Sequence, residues 1–139
     1  MSYKDIVLAR IQPLLDHHPY CKVEFSEVSF KVLMENRNPN LLGNFAGGDM
    51  AYVANAAAGI LCLAEGYLSQ TASINTECVA RAEGELLAAD AKIMHIGSKL
   101  IRLRSDVYVR SGDNDTLVAI AQVNMSRISD KQLIEKYAK

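Results

Sequence analysis

The segment spanning residues 51–64 is apolar on almost every side, and this feature limits the possible folds more than any other. It reads AYVANAAAGILCLA, and Asn55 is the only residue in it with an amide or a charge. A helix at a protein surface has a polar face, so a helix without one belongs in an interior. The segment is also shorter than the roughly 20 residues that cross a bilayer. We therefore predict a helix over residues 47–66 that the rest of the fold surrounds.

Apolar and polar residues alternate on both sides of this segment, which predicts β-strands. Residues 20–35 change phase at Ser26 and Glu27, so we expect a bulge or a break between two strands there. After the helix, the alternation predicts four strands at 71–81, 85–96, 100–110 and 117–127. Turn sequences at 97–98 and 111–115 provide short connections, which favour a four-stranded antiparallel meander.

Each of the last two predicted strands has one apolar face that should point to the core. These faces hold Ile101, Leu103, Val107 and Val109 in one strand, and Leu117, Ala119, Ala121, Val123 and Met125 in the other. Two further helices are expected at the ends of the chain. Residues 3–17 have helical spacing, with Pro13 limiting the helix length, and a terminal helix should begin after Ser129 or Asp130 as its cap. The prediction is one α+β domain over residues 1–139.

The composition argues against several kinds of partner. Lys and Arg number 15 against 16 Asp and Glu, a formal net charge of -1, so no charge excess favours nucleic acid or an anionic membrane. The three cysteines form no CxxC pair and are odd in number, which argues against a disulfide framework and a structural zinc site. The opening residues show no signal-peptide pattern. We expect a cytoplasmic protein that needs no metal or organic cofactor.

A motif lies at the entrance to the apolar helix. It reads Asn40-Leu-Leu-Gly43-Asn-Phe-Ala-Gly47-Gly48, with Asn55 seven residues further on, and Ser73-Ile-Asn75 and Gly97-Ser-Lys99 follow it. In this order and spacing, the sequence resembles the PaaI-like acyl-CoA thioesterases of the hotdog superfamily, from about residue 19 to residue 128. The resemblance implies the hotdog fold, an antiparallel sheet wrapped around a central helix. It also implies an acyl-CoA substrate, which carries the coenzyme A, and a homodimer or homotetramer whose site two chains share.

The sequence departs from the family pattern at two positions. Ala46 stands where the family has His, and Asn55 stands where it has a catalytic Asp or Glu. An amide can hold a water or a carbonyl, but it takes no proton at neutral pH. Three possibilities follow. Another carboxylate acts as the base, hydrolysis proceeds slowly by orientation and an oxyanion hole, or the protein binds acyl thioesters without cleaving them.

Gly47 and Gly48 are candidate oxyanion-hole residues, because unpaired N–H groups at a helix start polarise a carbonyl and glycine lets a ligand approach closely. The alternative is a tight turn that requires glycine for its dihedrals. Asn55 follows Gly48 by seven residues, so both lie on one helix face about 10.5 Å apart. One carbonyl cannot contact both. The spacing therefore predicts a homodimer in which Gly47 or Gly48 of one chain faces Asn55 of the other.

The remaining candidates each have a functional and a simpler structural explanation. Asp49 is the leading acid–base candidate and Glu77 the next, although a helix-start acid and a solvated strand residue explain them as well. Asn40 matches the family's loop Asn, or is an ordinary turn residue. The others are grouped by expected role: Thr71 and Ser73 as hydroxyls near the water or substrate, Tyr52 in the acyl pocket, and Lys99, Arg102 and Arg104 at the phosphates of coenzyme A.

The favoured function is hydrolysis of an acyl-CoA, or another acyl thioester, by direct attack of water. The first alternative is a non-catalytic protein that binds acyl-CoA or acyl-carrier protein. A dehydratase or hydratase acting on 3-hydroxyacyl thioesters ranks third, because that chemistry pairs an acid with a histidine. We expect His17, His18 and His95 to lie away from the central helix.

Overall fold

The computed structural model describes residues 2–138 and contains one six-stranded antiparallel sheet packed against a long central helix. The elements in chain order are α1 (Tyr3–Leu15), β1 (Cys21–Phe25), β2 (Phe30–Glu35), α2 (Gly47–Ala64), β3 (Ser69–Cys78), β4 (Leu86–Ile96), β5 (Leu100–Ser111), β6 (Asn114–Arg127) and α3 (Lys131–Tyr137). The expected break between β1 and β2 is confirmed, and the two strands pair as a hairpin.

Helix α2 is the predicted interior helix. Ten of its residues are buried, among them Val53, Ala54 and Ile60 with no exposed surface. Its small residues allow close packing, since a Cβ added at Gly59 would contact Met125 at 3.7 Å. By length and hydropathy alone α2 could cross a membrane, but 56% of it is buried inside the fold. That burial is typical of a core helix.

The strand order differs from the predicted meander. It is β1-β2-β4-β5-β6-β3, so β4, β5 and β6 form a meander while β3 lies at the far edge beside β6. The prediction that β3 neighbours β4 is wrong. Strand β3 leaves the end of α2 and covers one flank of that helix, and residues 79–85 then carry the chain across to β4. The position of β3 in the sheet depends on this long-range packing, and local alternation does not determine it.

The predicted apolar face of β5 is confirmed, because Ile101, Leu103, Val107 and Val109 are all buried. In β6 the prediction fails at one residue. The register shifts between Val107 and Tyr108, so Leu117 pairs with Tyr108 on the outer face and Val118 becomes fully buried instead. A bulge of this kind adds one residue to the strand. Each earlier residue therefore points to the opposite side of the sheet from the one that uninterrupted alternation predicts. The preceding turn is also tighter than predicted, with Gly112 at φ 59° and β6 starting at Asn114.

The terminal helices agree with the prediction. Pro13 lies in the last turn of α1, which ends at Leu15 and buries Val7 and Ile11 in the core. Asp130 caps α3, where its side chain accepts hydrogen bonds from the N–H groups of Gln132 and Leu133.

Candidate active site

One face of α2 remains open to solvent although the rest of the helix is buried. Gly48, Tyr52 and Asn55 lie on this face because residues four and seven apart return to nearly the same side of a helix. Gly48 is exposed, Tyr52 is 37% exposed and Asn55 is half-buried. The face is flanked by β3 on one side and by the connection between α1 and β1 on the other.

The start of α2 presents two unused backbone donors. Asp49 and Met50 donate to the carbonyl oxygen of Ala46, whereas the N–H groups of Gly47 and Gly48 have no acceptor among residues 2–138. Neither glycine has a positive φ, so the explanation by glycine dihedrals does not hold. A Cβ at Gly48 would meet nothing within 4 Å. The helix therefore offers N–H donors at its positive end, on two exposed residues.

Asn55 and Thr71 are brought together. The Thr71 hydroxyl donates a hydrogen bond of 2.6 Å to Oδ1 of Asn55, so the amide is held by a strand side chain rather than by backbone. The same hydroxyl lies 3.7 Å from the sulfur of Met125. Oδ1 thus has a donor, whereas the Nδ2 hydrogens have no acceptor among residues 2–138 and remain available to a ligand. Asn55 can thus donate to a carbonyl or a water, but it holds no charge and takes no proton.

The register of β3 separates its side chains into two rows. Thr71 and Cys78 pair with buried residues of β6 and face α2, where the sulfur of Cys78 would lie 3.6 Å from a Cβ at Gly47. Ser73 pairs with Asn124 on the outer face and accepts a hydrogen bond of 2.9 Å from its amide. The structure therefore does not bring Ser73 to Asn55. Glu77 is on the outer face as well, opposite Ile120, which removes it as an acid for this site.

Asn40 organises the loop that leads into α2. Its Oδ1 accepts hydrogen bonds from the N–H groups of Leu42 and Asn44, each at 3.0 Å. Its backbone carbonyl also accepts from Gly43, which has φ 79°. These bonds are those of a turn-forming Asn, and they leave only the exposed Nδ2 of Asn40 for a ligand.

Asp49 points to a different side of α2 from Asn55. It lies in the first turn, four residues before the fully buried Val53, and is itself half-buried. One carboxylate oxygen, Oδ2, is buried and has no hydrogen-bond partner among the described residues. Asp49 is therefore turned towards the packed side of the helix.

The basic residues expected at coenzyme A phosphates lie on or near the outer sheet face. Arg102 pairs with Asn124 and Arg104 with Gln122, both in the outward row. Arg104 also forms an ion pair of 2.8 Å with Asp106, whereas Lys99 and Arg102 form no salt bridge within residues 2–138. Lys99 is in the turn before β5. The sheet separates Arg102 and Arg104 from the open face of α2 in the same chain.

One histidine contradicts the sequence-based expectation. Nδ1 of His18 lies 2.6 Å from the hydroxyl of Tyr52, so a histidine does reach the central helix. The two residues are 34 positions apart, and no spacing rule connects them. The available signal was Tyr52 itself, because a tyrosine in an apolar helix needs a partner for its hydroxyl.

Comparison with known proteins supports the fold. No protein-family model matches the sequence, and neither does any curated protein. Among solved structures, the Escherichia coli PaaI protein of the phenylacetic acid degradation operon aligns over 92% of this chain and 97% of its own, with 14% identity and a TM-score of 0.76. The chain has the hotdog fold.

Two further hotdog structures agree with this assignment. A thioesterase family protein from Silicibacter pomeroyi aligns over 91% of this chain and 98% of its own, at 15% identity and a TM-score of 0.74. A Bacillus halodurans protein crystallised with CoA aligns over 92% and 94%, at 21% identity and a TM-score of 0.69. Identities this low establish a common fold. In this hotdog chain, the open face of α2 is the candidate active site.

Proposed function

We propose that this protein hydrolyses acyl-CoA thioesters by direct attack of water on a carbonyl held at the start of α2. The observation that carries the proposal is the pair of N–H groups on the exposed residues Gly47 and Gly48, which have no acceptor among residues 2–138. Such donors stabilise the negative oxygen that develops when a carbonyl is attacked. The oxygen of water bonds to the carbonyl carbon, and the carbon–sulfur bond then breaks. The products are a carboxylic acid and the thiol of coenzyme A, which receives the proton.

The solved structures support the substrate class. The Bacillus halodurans neighbour was crystallised with CoA, as was a Streptococcus pneumoniae thioesterase of the same fold at 16% identity and a TM-score of 0.70. Among the basic residues, Lys99 is the best candidate for the phosphates, because it lies in the turn before β5 and forms no salt bridge within residues 2–138, whereas Arg102 and Arg104 are on the outer sheet face and Arg104 is engaged by Asp106.

A homodimer is the proposed minimum unit. Gly48 and Asn55 are about 10.5 Å apart along the helix, so one thioester contacts both only if they come from different chains. Strand β3 offers an edge for such pairing, and it exposes Ile74 at 38% and the adjoining Val79 at 51%. Apolar side chains on an unpaired strand edge favour association with a second strand.

The oligomeric state tests this part of the proposal. Light scattering should give at least twice the 15.3 kDa chain mass. Ile74→Arg should lower both the mass and the turnover. The matched control is Val28→Arg, because Val28 is 81% exposed in the turn between β1 and β2 and should change neither. A fully active monomer would contradict the shared site.

The second candidate function is binding of acyl thioesters without cleavage. It is favoured by Asn55, which takes no proton and has no carboxylate among its hydrogen-bond partners within residues 2–138. Release of free thiol from short, long and aryl CoA esters separates the two functions. Hydrolysis predicts steady release by the parent, whereas binding predicts saturable uptake of the esters in calorimetry with no thiol released. If the protein neither releases thiol nor takes up the esters, the open face of α2 is not a thioester site.

A further inference from the structure

The open face of α2 lacks an obvious proton acceptor, although water attack on a thioester requires one. Helix α2 carries three titratable side chains, Asp49, Tyr52 and Cys62. Cys62 has no exposed surface, and burial raises the pKa of its thiol to about 11. Asp49 is turned towards the packed side of the helix. Tyr52 is therefore the titratable side chain that shares a face with Gly48 and Asn55.

Tyr52 is held by a second titratable residue. Its hydroxyl lies 2.6 Å from Nδ1 of His18, and the two rings meet edge to face, with centroids 5.5 Å apart at 72°. The backbone fixes His18, because its N–H donates to Leu15 and its carbonyl oxygen accepts from Cys21. The two residues are 34 positions apart, so the packed fold brings them together and not a local turn.

The protonation states are set by the surroundings. Burial, and to a smaller extent the adjacent His17, lower the pKa of His18, so its ring is neutral at pH 7. Burial, followed by Cys21 and Tyr20, raises the pKa of Tyr52, so its hydroxyl keeps its proton. The titratable groups that face the pair are thus His17 and Tyr20, in the connection between α1 and β1, and Cys21, at the start of β1. Tyr52 therefore donates to Nδ1 of His18 and keeps lone pairs on its oxygen for another donor.

We propose that Tyr52 and His18 form a proton relay that activates the attacking water. Water loses a proton to the Tyr52 oxygen as its own oxygen bonds to the thioester carbon, and Tyr52 passes its hydroxyl proton to Nδ1 of His18. When the carbon–sulfur bond breaks, the proton returns through Tyr52 to the departing sulfur, so both residues regain their starting forms. Tyr52 is the catalytic group. His18 positions it, holds the proton between the two steps and returns it to Tyr52. The relay rests on the proposed hydrolysis.

The symmetry of the proposed dimer brings Tyr52 to both sites. If Gly48 of one chain faces Asn55 of the other, a two-fold axis passes midway between these positions, beside Tyr52. Along α2, Tyr52 is about 6 Å from Gly48 and about 4.5 Å from Asn55. A tyrosine side chain spans such distances, so its hydroxyl lies within reach of a water between the Gly47 and Gly48 amides and Asn55.

Two variants and a pH profile test the relay, using the CoA ester that the parent cleaves fastest. Tyr52→Phe should lower kcat about 100-fold or more with KM within a factor of about two, since it removes only the proton-transferring oxygen. His18→Asn places an amide oxygen where Nδ1 stands, so Tyr52 keeps an acceptor that cannot be protonated. It should lower kcat by at least tenfold and abolish the fall in kcat/KM that the parent shows towards acid pH. His17→Asn, at the adjacent exposed histidine, is the control: it should preserve the rate and keep the acid limb, which moves only slightly to higher pH because His17 is the smaller of the two causes that lower the pKa of His18.

The alternative outcomes are distinguishable. If the parent releases thiol while Tyr52→Phe and His18→Asn keep its rate and acid limb, the relay is wrong and the hydrolysis stands. If these variants change only KM, Tyr52 lines the pocket and the relay is equally rejected. If the parent releases no thiol from any ester, the proposed function fails, and the relay fails with it. Far-ultraviolet circular dichroism and melting curves establish that each variant is folded before its rate is compared.

Discussion

The hydroxyl of Thr71 donates a 2.6 Å hydrogen bond to Oδ1 of Asn55, and this bond joins the edge strand β3 to the central helix α2. It fixes the orientation of the Asn55 amide through Oδ1, while Nδ2 has no acceptor among residues 2–138. A carboxylate at this position would keep an acceptor for Thr71 and present a second oxygen to the site. The bond thus determines what a substitution at Asn55 can do.

Asn55→Asp should increase thioesterase turnover. The new carboxylate keeps the Thr71 bond and adds a general base on the open face, a change that contributes about 100-fold in other enzymes. We expect a gain in kcat of at least tenfold in a thiol-release assay, whereas Asn55→Ala should gain nothing. If Asn55→Asp is no faster than the parent and Asp49→Asn abolishes turnover, Asp49 is the base and the assignment of the open face is wrong.

Gly48 should be required for activity but not for stability. A side chain at Gly48 meets no atom within 4 Å, so Gly48→Val should leave the free energy of unfolding within about 0.5 kcal/mol or raise it slightly. The same side chain adds bulk beside the N–H donors and hinders close approach of a carbonyl, so kcat/KM should fall at least tenfold. Urea denaturation and the thiol-release assay measure the two effects.

Gly84, in contrast to Gly48, should be required for stability but not for activity. An added Cβ there would lie 2.7 Å from Cγ2 of Val109 and 2.8 Å from the carbonyl oxygen of Arg110. Gly84→Ala should therefore destabilise the fold by about 1–3 kcal/mol while kcat of the folded protein stays near that of the parent. Equal losses of activity in Gly48→Val and Gly84→Ala would mean that activity tracks stability alone.

Much of the fold could be predicted because its signals are local. The absence of a polar face over residues 51–64 identifies α2, and alternation identifies β5 and the inner row of β6. The position of β3 beside β6 could not be predicted, since pairing between distant strands depends on how the sheet covers the helix. The bulge at Val118 was missed for the same reason, because an alternating sequence fits either register.

The site was predictable only in part. The N–H donors of Gly47 and Gly48 follow from their place at a helix start, and the face they share with Asn55 follows from helical spacing. Residues two apart normally share a face of a strand, so alternation places Ser73 beside Thr71, but the register of β3 shifts between these two residues and turns Ser73 to the outer face. The contact between His18 and Tyr52 joins two segments that only the packed structure brings together.

Ser105 connects the sheet to the central helix next to the site. It is fully buried in the inner row of β5, and its hydroxyl donates a hydrogen bond of 2.9 Å to the carbonyl oxygen of Ala54. Ser105→Ala should lower the free energy of unfolding by about 0.5–1.5 kcal/mol, the usual value of such a bond. Ser98→Ala, in an exposed turn, should change it by less than about 0.5 kcal/mol. Urea denaturation of both variants gives the comparison, and equal midpoints would show that the buried bond contributes nothing.

The ion pairs of Arg110 should make the free energy of unfolding decrease as the pH falls into the acid range. It binds Glu24 with two hydrogen bonds of 2.7 and 3.0 Å, and it contacts both oxygens of Asp115. These bonds lower the pKa of Glu24 and of Asp115 below their ordinary values. The folded state thus binds fewer protons than the unfolded state, so the stabilisation is present at neutral pH. It is lost as pH falls below about 4.5 through the lowered pKa values.

Arg110→Gln should therefore lower the free energy of unfolding by about 1–2 kcal/mol at neutral pH and by progressively less in acid, where the parent has already lost these bonds. The matched control is Arg81→Gln, because Arg81 and Glu83 form an exposed pair at 3.8 Å that should contribute less than about 0.5 kcal/mol. Urea denaturation at neutral pH and at about pH 3.5 measures both variants. A deficit for Arg110→Gln that is the same at both pH values would mean that Arg110 acts through packing and not through the two carboxylates.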